Sequence, residues 1–284
     1  MPQQLYNLCA SGVNQYAFPV NPLPRGRRQA IFNPARERTS VDFSGNEVLI
    51  TGGATGIGLG LAEKFLAAGS RVAICGRRKE ALEEAARKHP GLITCPCDLT
   101  SESERLSLSR WIVGKLPRLN VLVNNAGIQQ RMRVDQEDFW PRAKEEIAIN
   151  WEAPVHLTCL LLETLKKSGK PCLINVTSGL AFVPLAGAPV YCATKAAFHS
   201  FTRSLRPLLE GSGIEVIEII PPAVNTDLGG AGLHTTGTPL EEFISAVARQ
   251  LQEGKTEVSY GFSEKVSHAS RDELEQAFQR MNSR

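Results

Sequence analysis

The chain has 284 residues, of which 42% are hydrophobic and 21% are charged, and it contains 24 Gly and 17 Pro. These ordinary globular proportions exclude a collagen-like, coiled-coil or disordered chain, and no apolar run reaches the roughly 18 residues of a membrane-spanning helix. The net charge of +3 is uneven, because residues 1–41 contain five Arg and a single acidic residue, Glu37. The remainder is close to neutral, so we expect neither a nucleic-acid partner nor a membrane partner.

The first 41 residues are predicted to be a flexible leader. They contain five prolines and no sustained hydrophobic period. Proline at this density prevents the amphipathic helix of a mitochondrial presequence, and no apolar run suits a secretory signal. An organelle signal, an upstream translation start and a flexible tail remain alternatives. Seven cysteines without paired C-x-x-C spacing indicate a reducing compartment, and we expect a cytoplasmic protein.

From Asn46 onward, short β-rich runs alternate with helical segments, which is typical of βαβ units in a parallel sheet. Ser101 and Glu104 are predicted to form a capping box at the start of one helix. The pattern predicts one α/β domain over residues 42–284, with a doubly wound, Rossmann-like parallel sheet in three layers and a ligand crevice at the carboxyl ends of the strands. The predicted strands are 47–51, 71–75, 92–95, 121–123, 172–176, 214–220 and 257–260.

A glycine-rich loop, Gly52-Gly53-Ala54-Thr55-Gly56-Ile57-Gly58, joins the first predicted strand directly to a helical run. A pyrophosphate needs backbone N–H groups at a helix N-terminus, and side chains at Gly52, Gly56 and Gly58 would block its approach or the turn. The alternative is a tight strand-to-helix turn without a ligand. Because a strand and a helix flank the loop, we interpret it as a nucleotide-binding loop that includes Thr55 and Ile57.

The second predicted strand ends in Cys75-Gly76-Arg77-Arg78, where an NAD-specific site usually has a carboxylate for the ribose 2′-hydroxyl. A guanidinium can instead bind a 2′-phosphate through charge-assisted hydrogen bonds. The sequence therefore predicts NADP(H) as the cofactor. Arg77 is preferred over Arg78 because it lies closer to the strand end. The alternative is that both are solvated residues at the start of a helix.

Tyr191 and Lys195 lie four residues apart in a predicted helix, and therefore on one face of it. A tyrosine hydroxyl, with a pKa of about 10, is a poor base near neutral pH, but a neighbouring ammonium favours the phenolate. Lowering that pKa by ~3 units requires about 4 kcal/mol of differential stabilisation, which Lys195 and an oxidised nicotinamide could supply together. A surface pair without a function is the alternative.

Three further polar features follow predicted strands or interrupt a predicted helix. Ser178 comes just after the fifth strand, where its hydroxyl could orient a carbonyl or simply cap a turn. Asn124-Asn125-Ala126-Gly127 follows the fourth strand and is interpreted as scaffold and cofactor wall. Asn150 lies in a predicted helix over residues 145–165, four residues before Pro154. Because proline has no N–H, Pro154 leaves the backbone carbonyl of Asn150 free to bind water. The alternative is that the Asn150 side chain is a core amide whose hydrogen bonds are satisfied.

Together these residues resemble the short-chain dehydrogenase/reductase family, in its single-domain branch, over residues 44–226. The resemblance implies that Tyr191 donates or accepts the substrate proton, and that Lys195 lowers the pKa of Tyr191 and binds the nicotinamide ribose. It implies that Ser178 holds the substrate oxygen and that Asn150 positions a water linking Lys195 to solvent. The further cofactor contacts that it implies are Asp98 to the adenine amino group, Asn125, Ala126 and Gly127 along the cofactor, and Val224 and Thr226 to the carboxamide.

The chain departs from the family pattern at Pro221-Pro222-Ala223, where the family usually has Pro-Gly. Pro222 removes a backbone donor and fixes φ, so the loop near the nicotinamide is expected to differ in shape. The diproline, with Gly261-Phe262-Ser263-Glu264-Lys265 and Arg271-Asp272-Glu273-Leu274, is similar to the DltE-type oxidoreductases.

The expected function is hydride transfer between NADP(H) and an uncharged, moderately hydrophobic carbonyl or alcohol. Apolar residues after Ser178 and a glycine-rich lid near residues 227–250 would select the substrate. Two apolar helices indicate a homodimer or homotetramer. The alternative is a non-catalytic NADP(H)-binding regulator. An extended-branch epimerase or dehydratase would need a larger substrate domain than the 58 residues after Thr226.

Overall fold

A seven-stranded sheet forms the centre of the protein in a computed structural model that describes residues 41–230 and 235–283. All six strand pairings are parallel. The order across the sheet is β3-β2-β1-β4-β5-β6-β7, which confirms the predicted doubly wound α/β fold. The strands are β1 (Glu47–Thr51), β2 (Arg71–Gly76), β3 (Ile93–Pro96), β4 (Val121–Asn124), β5 (Cys172–Val176), β6 (Glu215–Ile220) and β7 (Glu257–Ser259).

Helices connect the strands and cover the sheet. A π-helical segment, Ala148–Glu152, joins the fourth and fifth of them, and short 3₁₀ helices lie at Gly179–Ala181 and Glu210–Ser212. Among residues 41–230 and 235–283, no helix is both long and apolar enough to cross a membrane. The α-helices are α1 (Gly56–Ala67), α2 (Lys79–Lys88), α3 (Glu102–Lys115), α4 (Phe139–Ile147), α5 (Ala153–Lys166), α6 (Pro189–Leu209), α7 (Leu240–Gln252), α8 (Phe262–Ser267) and α9 (Arg271–Asn282).

Strand β1 shows why the sheet is covered on both faces. All of its residues are buried. Val48 and Ile50 pack in one apolar cluster with residues of α1 and α7, whereas Leu49 packs in a second cluster with residues of α3, α5 and α6. Because successive side chains of a strand point to opposite faces, a fully buried strand needs a helical layer on each side. These layers and the sheet are the three layers predicted.

The strand order reverses direction between β1 and β4. The chain proceeds from β1 through β2 to β3 at one edge and then returns to place β4 on the other side of β1. In such sheets the loops leaving the two central strands separate, and ligands bind in the crevice that this leaves outside the carboxyl ends. The loops after β1 and β4 therefore define where a ligand site is expected.

Several predicted element boundaries differ from those of the structure. The predicted helix over 145–165 begins earlier, at Phe139, and passes through the π-helical segment before ending at Lys166. The predicted capping box at Ser101 is wrong in one half. The Ser101 hydroxyl accepts a hydrogen bond from the Glu104 N–H (3.3 Å), but the Glu104 carboxylate accepts from the Asp98 N–H (2.6 Å). The Glu104 side chain thus ties the loop after β3 to α3.

Two other predictions fall partly outside the described residues. Of the predicted leader, residues 1–40 lie outside them; Val41 is buried, and its N–H donates to the Leu251 carbonyl (3.0 Å). Of the predicted lid, residues 231–234 lie outside them. Its last part forms α7, whose Phe243 and Val247 are fully buried in the core. A moving lid therefore stays a prediction for residues 227–239.

Candidate active site

A cavity of ≈ 730 Å³ opens at the carboxyl edge of the sheet. Its walls come from the loops after β1, β2, β3, β4, β5 and β6, together with the N-terminal part of α6. Most of the predicted site residues line it, whereas Gly58 and Asn150 lie behind its wall. The predicted residues that line the cavity are Gly52, Thr55, Gly56, Ile57, Arg77, Arg78, Asp98, Asn125, Ala126, Gly127, Ser178, Tyr191, Lys195, Val224 and Thr226.

The glycine loop is packed so closely that side chains are excluded. A Cβ at Gly58 would lie 2.4 Å from the Gly52 carbonyl oxygen, and one at Gly52 would lie 2.9 Å from the Ala126 Cα. Gly52 and Gly56 also have φ values of +62° and +57°, which side chains rarely tolerate. Helix α1 begins at Gly56, and its N-cap, Thr55, makes no side-chain cap hydrogen bond. The N-terminal N–H groups of α1 are thus available to a phosphate, and the loop fits a dinucleotide.

Asn125 holds the glycine loop from behind. Its side-chain Nδ2 donates to the carbonyls of Thr51 (2.9 Å) and Gly52 (3.2 Å). In return, the Thr51 hydroxyl accepts hydrogen bonds from the N–H groups of Asn125 and Ala126, each at 3.0 Å. These hydrogen bonds join the loop after β4 to the loop after β1, at the place where the strand order reverses. The arrangement agrees with the interpretation of this motif as scaffold.

Two arginines and an aspartate lie at the end of the cavity formed by β2 and β3. The Arg77 guanidinium pairs with Glu145 of α4 (3.0 Å), and the Arg78 guanidinium donates to the Thr55 hydroxyl (3.3 Å). Asp98 Oδ1 accepts from both the N–H and the hydroxyl of Thr100 (2.9 Å each). Arg78 thus contacts the glycine loop directly, whereas Arg77 bridges to α4 beside it.

Tyr191 and Lys195 face the cavity from α6, one turn apart. Tyr191 is 5% exposed, and Lys195 Nζ lies 5.7 Å from its ring centroid while donating to the Val176 carbonyl (2.9 Å). Burial lowers the pKa of Lys195 to about 8 and raises the pKa of Tyr191 well above the usual tyrosine range, a rise that a hydrogen bond with Ser178 opposes. The lowering of the Tyr191 pKa by Lys195 and an oxidised nicotinamide together stays a prediction, and the sequence contains no measure of the burial that opposes it.

Asn150 lies in the π-helical segment, where its side chain binds both the loop after β4 and α6. Its Oδ1 accepts from the Ile128 N–H (2.9 Å), and its Nδ2 donates to the Ile128 carbonyl (2.8 Å) and to the Thr194 hydroxyl (3.2 Å). Pro154 has no N–H to donate to the Asn150 carbonyl, and such π segments often mark functional sites. The side chain therefore fixes the backbone next to Lys195.

Ser178 and the diproline loop after β6 form another part of the cavity wall. The Ser178 hydroxyl accepts from the Leu180 N–H (3.1 Å) and makes a hydrogen bond with the Tyr191 side chain. The carbonyl of Pro221 accepts from the Gly179 N–H (3.0 Å), so the diproline is tied directly to the segment after Ser178. Beyond it, Val224 is buried, and a Cβ at Gly56 would lie 3.2 Å from the Thr226 methyl. The loop after β6 thus approaches the glycine loop at Thr226 and the segment after Ser178 at Pro221.

The sequence interpretation missed two sets of residues near this site. Phe262 of α8 and Met281 of α9 line the cavity, and Asn282 holds the loop after Ser178 through the Ala186 N–H (2.7 Å) and the Pro184 carbonyl (3.0 Å). Glu146 is fully buried on α4 behind the site. The sequence signal that could have identified Glu146 is its position four residues, or one helical turn, before Asn150.

Comparisons with known proteins agree with this geometry. The family model for short chain dehydrogenase matches residues 46–235. The uncharacterized oxidoreductase DltE of Bacillus subtilis (strain 168) is 43% identical over 251 residues, which are 84% of this chain and 98% of that protein.

Two solved structures share the fold and contain nicotinamide cofactors. A short chain dehydrogenase from Burkholderia cenocepacia J2315 in complex with NADP has a TM-score of 0.73 and 25% identity, over 84% of this chain and 99% of that one. A 3-ketoacyl-(acyl-carrier-protein) reductase from Brucella melitensis complexed with NADH has a TM-score of 0.71 and 24% identity, over 78% and 100%.

Proposed function

Since the chain belongs to the short-chain dehydrogenase family and is an oxidoreductase, we propose that it interconverts a carbonyl compound and its alcohol with NADP(H). The observation that carries this proposal is the buried phenol of Tyr191 facing the cavity, with the amine of Lys195 one turn away. A phenol in that position can transfer a proton to or from a substrate oxygen inside a site shielded from water.

The proposed cofactor site extends along the loops after β1 to β4. Residues 52–58 and the N-terminus of α1 would hold the pyrophosphate, and Asp98, Asn125, Ala126 and Gly127 would line the adenosine and ribose. A bound nicotinamide would supply the hydride. Related structures contain either NADP or NADH. The proposal of NADP(H) therefore rests on Arg77, with Arg78 beside it, which offer guanidinium groups where an NAD site has a carboxylate.

The remaining site residues would supply orientation and protons. Ser178 would donate its hydroxyl proton to the substrate oxygen in place of Tyr191 and hold that oxygen beside the Tyr191 hydroxyl. Lys195 would bind the nicotinamide ribose and favour the phenolate of Tyr191 when charged, against the effect of burial. Asn150 would position a water for proton exchange with Lys195. Val224 and Thr226 would contact the carboxamide.

The cavity walls support a hydrophobic substrate. Leu180, Leu185, Leu228, Phe262 and Met281 line the side of the cavity near Ser178 and the C-terminal helices. Gln129 and Arg131 line it as well and provide polar groups for one end of a substrate. We propose a moderately hydrophobic ketone or secondary alcohol as the substrate class.

The assembly and the location of the protein also remain proposals. Trp151 and Phe201 make an edge-to-face pair between the π-helical segment and α6, and Leu208 of α6 is 74% exposed. An apolar face on these helices supports a homodimer or homotetramer, which sedimentation would detect as a mass above the 30.9 kDa of one chain. The described cysteines are all free, which supports a reducing, cytoplasmic location.

The Tyr191→Phe variant separates the enzyme from a cofactor-binding regulator. We expect it to bind NADPH as tightly as the unmodified protein but to reduce a panel of hydrophobic ketones at least ~100-fold more slowly, because the proton donor is lost. Binding is measured by NADPH fluorescence and turnover by NADPH absorbance. Undiminished turnover in the variant would refute the role of Tyr191. An absence of turnover in the unmodified protein across the panel would favour the regulator.

A further inference from the structure

The side chain of Glu146 is a buried carboxylate that the proposed reaction does not use. It is 0% exposed, and its Oε1 accepts a hydrogen bond from the Gln130 N–H (2.9 Å). Its Oε2 has no hydrogen-bond partner within the part of the chain that the structure describes. A carboxylate in such a place is costly unless its charge is compensated. The surroundings of Glu146 therefore indicate which charge compensates it.

Glu146 and Asn150 lie one turn apart on the same helical face. Both hold the segment after β4, since Asn150 binds the backbone of Ile128 and Glu146 binds the backbone of Gln130. A Cβ at Gly127, just before this segment, would lie 3.3 Å from Asn150 Oδ1 and 3.5 Å from Lys195 Nζ. Asn150 thus lies close to the Lys195 amine, and Glu146, one turn before Asn150, belongs to the helix that packs against α6.

Charged and titratable groups reach Glu146 from two helices. On α4, the charge of Arg142 lowers the pKa of Glu146, although its guanidinium donates its hydrogen bonds to the Gln130 side chain (2.7 Å) and to the Arg131 carbonyl (2.9 Å). On α6, the Lys195 amine has its pKa raised by Glu146 against the lowering effect of burial, and burial raises the pKa of Glu146 to about 7. The groups facing Glu146 are Arg142, Glu145, Lys195, Tyr191 and Cys192.

We propose that Glu146 is a positioning residue for the reaction, the buried counter-charge that keeps the Lys195 side chain in its ammonium form around neutral pH. Its relevance to catalysis rests on the proposed function, whereas the coupling of the two charges is a property of the unliganded protein. An ionised Glu146 attracts the ammonium, and a neutral one does not. Because the ammonium of Lys195 favours the phenolate of Tyr191, Glu146 acts on the phenol through Lys195.

The coupling is tested by NMR on the full-length protein without cofactor. The lysine ¹³Cε resonance that disappears in Lys195→Met reports the titration of Lys195. In Glu146→Gln its midpoint should fall by on the order of one pH unit, since a nearby opposite charge is removed. An unchanged midpoint would overturn the proposal. If Glu146→Gln does not fold, the unmodified protein carries the test: the Lys195 resonance must respond at the midpoint of the Glu146 carboxyl, and no response overturns the proposal.

The consequence for catalysis is tested by the pH dependence of kcat/KM for ketone reduction. In Glu146→Gln the ratio of kcat/KM at pH 8 to that at pH 6 should fall about fivefold, as a one-unit shift of the alkaline midpoint requires. The control is Glu253→Gln, which removes one exposed acidic charge just after α7, where Glu253 pairs with Arg249 and Lys255, and should leave the ratio unchanged. Equal ratios in both variants would overturn the proposal. If the unmodified protein reduces no ketone, the proposed function fails, but the NMR result stands separately.

Discussion

The sharpest structural prediction compares Gly58 of the glycine loop with two other helical glycines, Gly60 and Gly114. The three positions differ in which atoms the methyl group of an alanine would contact. At Gly58 the new Cβ would lie 2.4 Å from the Gly52 carbonyl oxygen and 2.5 Å from Asn125 Nδ2. At Gly60 it would lie 2.7 Å from a side-chain atom of Ile244 on α7. At Gly114 of α3 no heavy atom of the described residues lies within 4 Å, apart from its chain neighbours and the backbone of its own helix.

These distances predict three different outcomes for substitution by alanine. Gly58→Ala forces backbone apart and should cost about 1–3 kcal/mol of unfolding free energy, with loss of NADPH affinity, because the displaced atoms belong to the phosphate loop. Gly60→Ala should also destabilise the fold, but by less, since a side chain can move, and with NADPH affinity retained. Gly114→Ala should stabilise the protein by up to about 1 kcal/mol, through helix propensity alone.

Urea unfolding measures the first quantity and NADPH fluorescence titration the second. Affinity is compared at temperatures where each variant is fully folded, so that a loss of binding is not a loss of folded protein. If Gly58→Ala bound NADPH as tightly as Gly60→Ala does, the loop would be a turn without a phosphate, and the reasoning would be refuted.

Two further predictions concern charge. Arg77→Ala should raise the Kd for NADPH about 10-fold to 100-fold, because a charge-assisted hydrogen bond is lost, and should change the Kd for NADH by less than about twofold. Lys79→Ala is the control. Equal effects of Arg77→Ala on the two Kd values, measured by titration, would rule out the 2′-phosphate contact. Because burial raises the pKa of Glu146 from 4.5 to about 7, the folded protein binds more protons than the unfolded chain within that window, and the contribution of this group to stability falls as pH rises through it. Urea unfolding should therefore show Glu146→Gln gaining up to about 3 kcal/mol relative to the unmodified protein between pH 4.5 and 7; a constant difference would contradict the raised pKa.

Local sequence was sufficient wherever the chemistry lies in one short segment. The strand that runs into Gly52 and the turn that ends at Gly58 are contiguous, and Tyr191 and Lys195 share one helix face, so their positions could be predicted from spacing alone. The alternation of strands and helices in turn predicted the parallel sheet and the edge at which these segments meet.

Features that depend on contacts between distant segments could not be predicted in this way. Glu145 and Glu146 are adjacent and chemically identical, yet Glu145 lies near Arg77 at the surface, and Glu146 is buried by the packing of α4 against α6. Met281 reaches the cavity from near the end of the chain. The Glu104 carboxylate accepts a hydrogen bond from the Asp98 N–H and not from the N-cap of its own helix, because the loop after β3 brings that N–H close to it.

Hydride transfer from cofactor to substrate is the central claim, and isotope transfer measures it without relying on any variant. The protein is incubated with NADPH that carries deuterium at both C4 positions and with a hydrophobic ketone, and the product is analysed by mass spectrometry and NMR. We predict that the alcohol carries one deuterium on the former carbonyl carbon, while its hydroxyl proton comes from solvent by way of Tyr191. An alcohol without deuterium at that carbon would contradict the assignment.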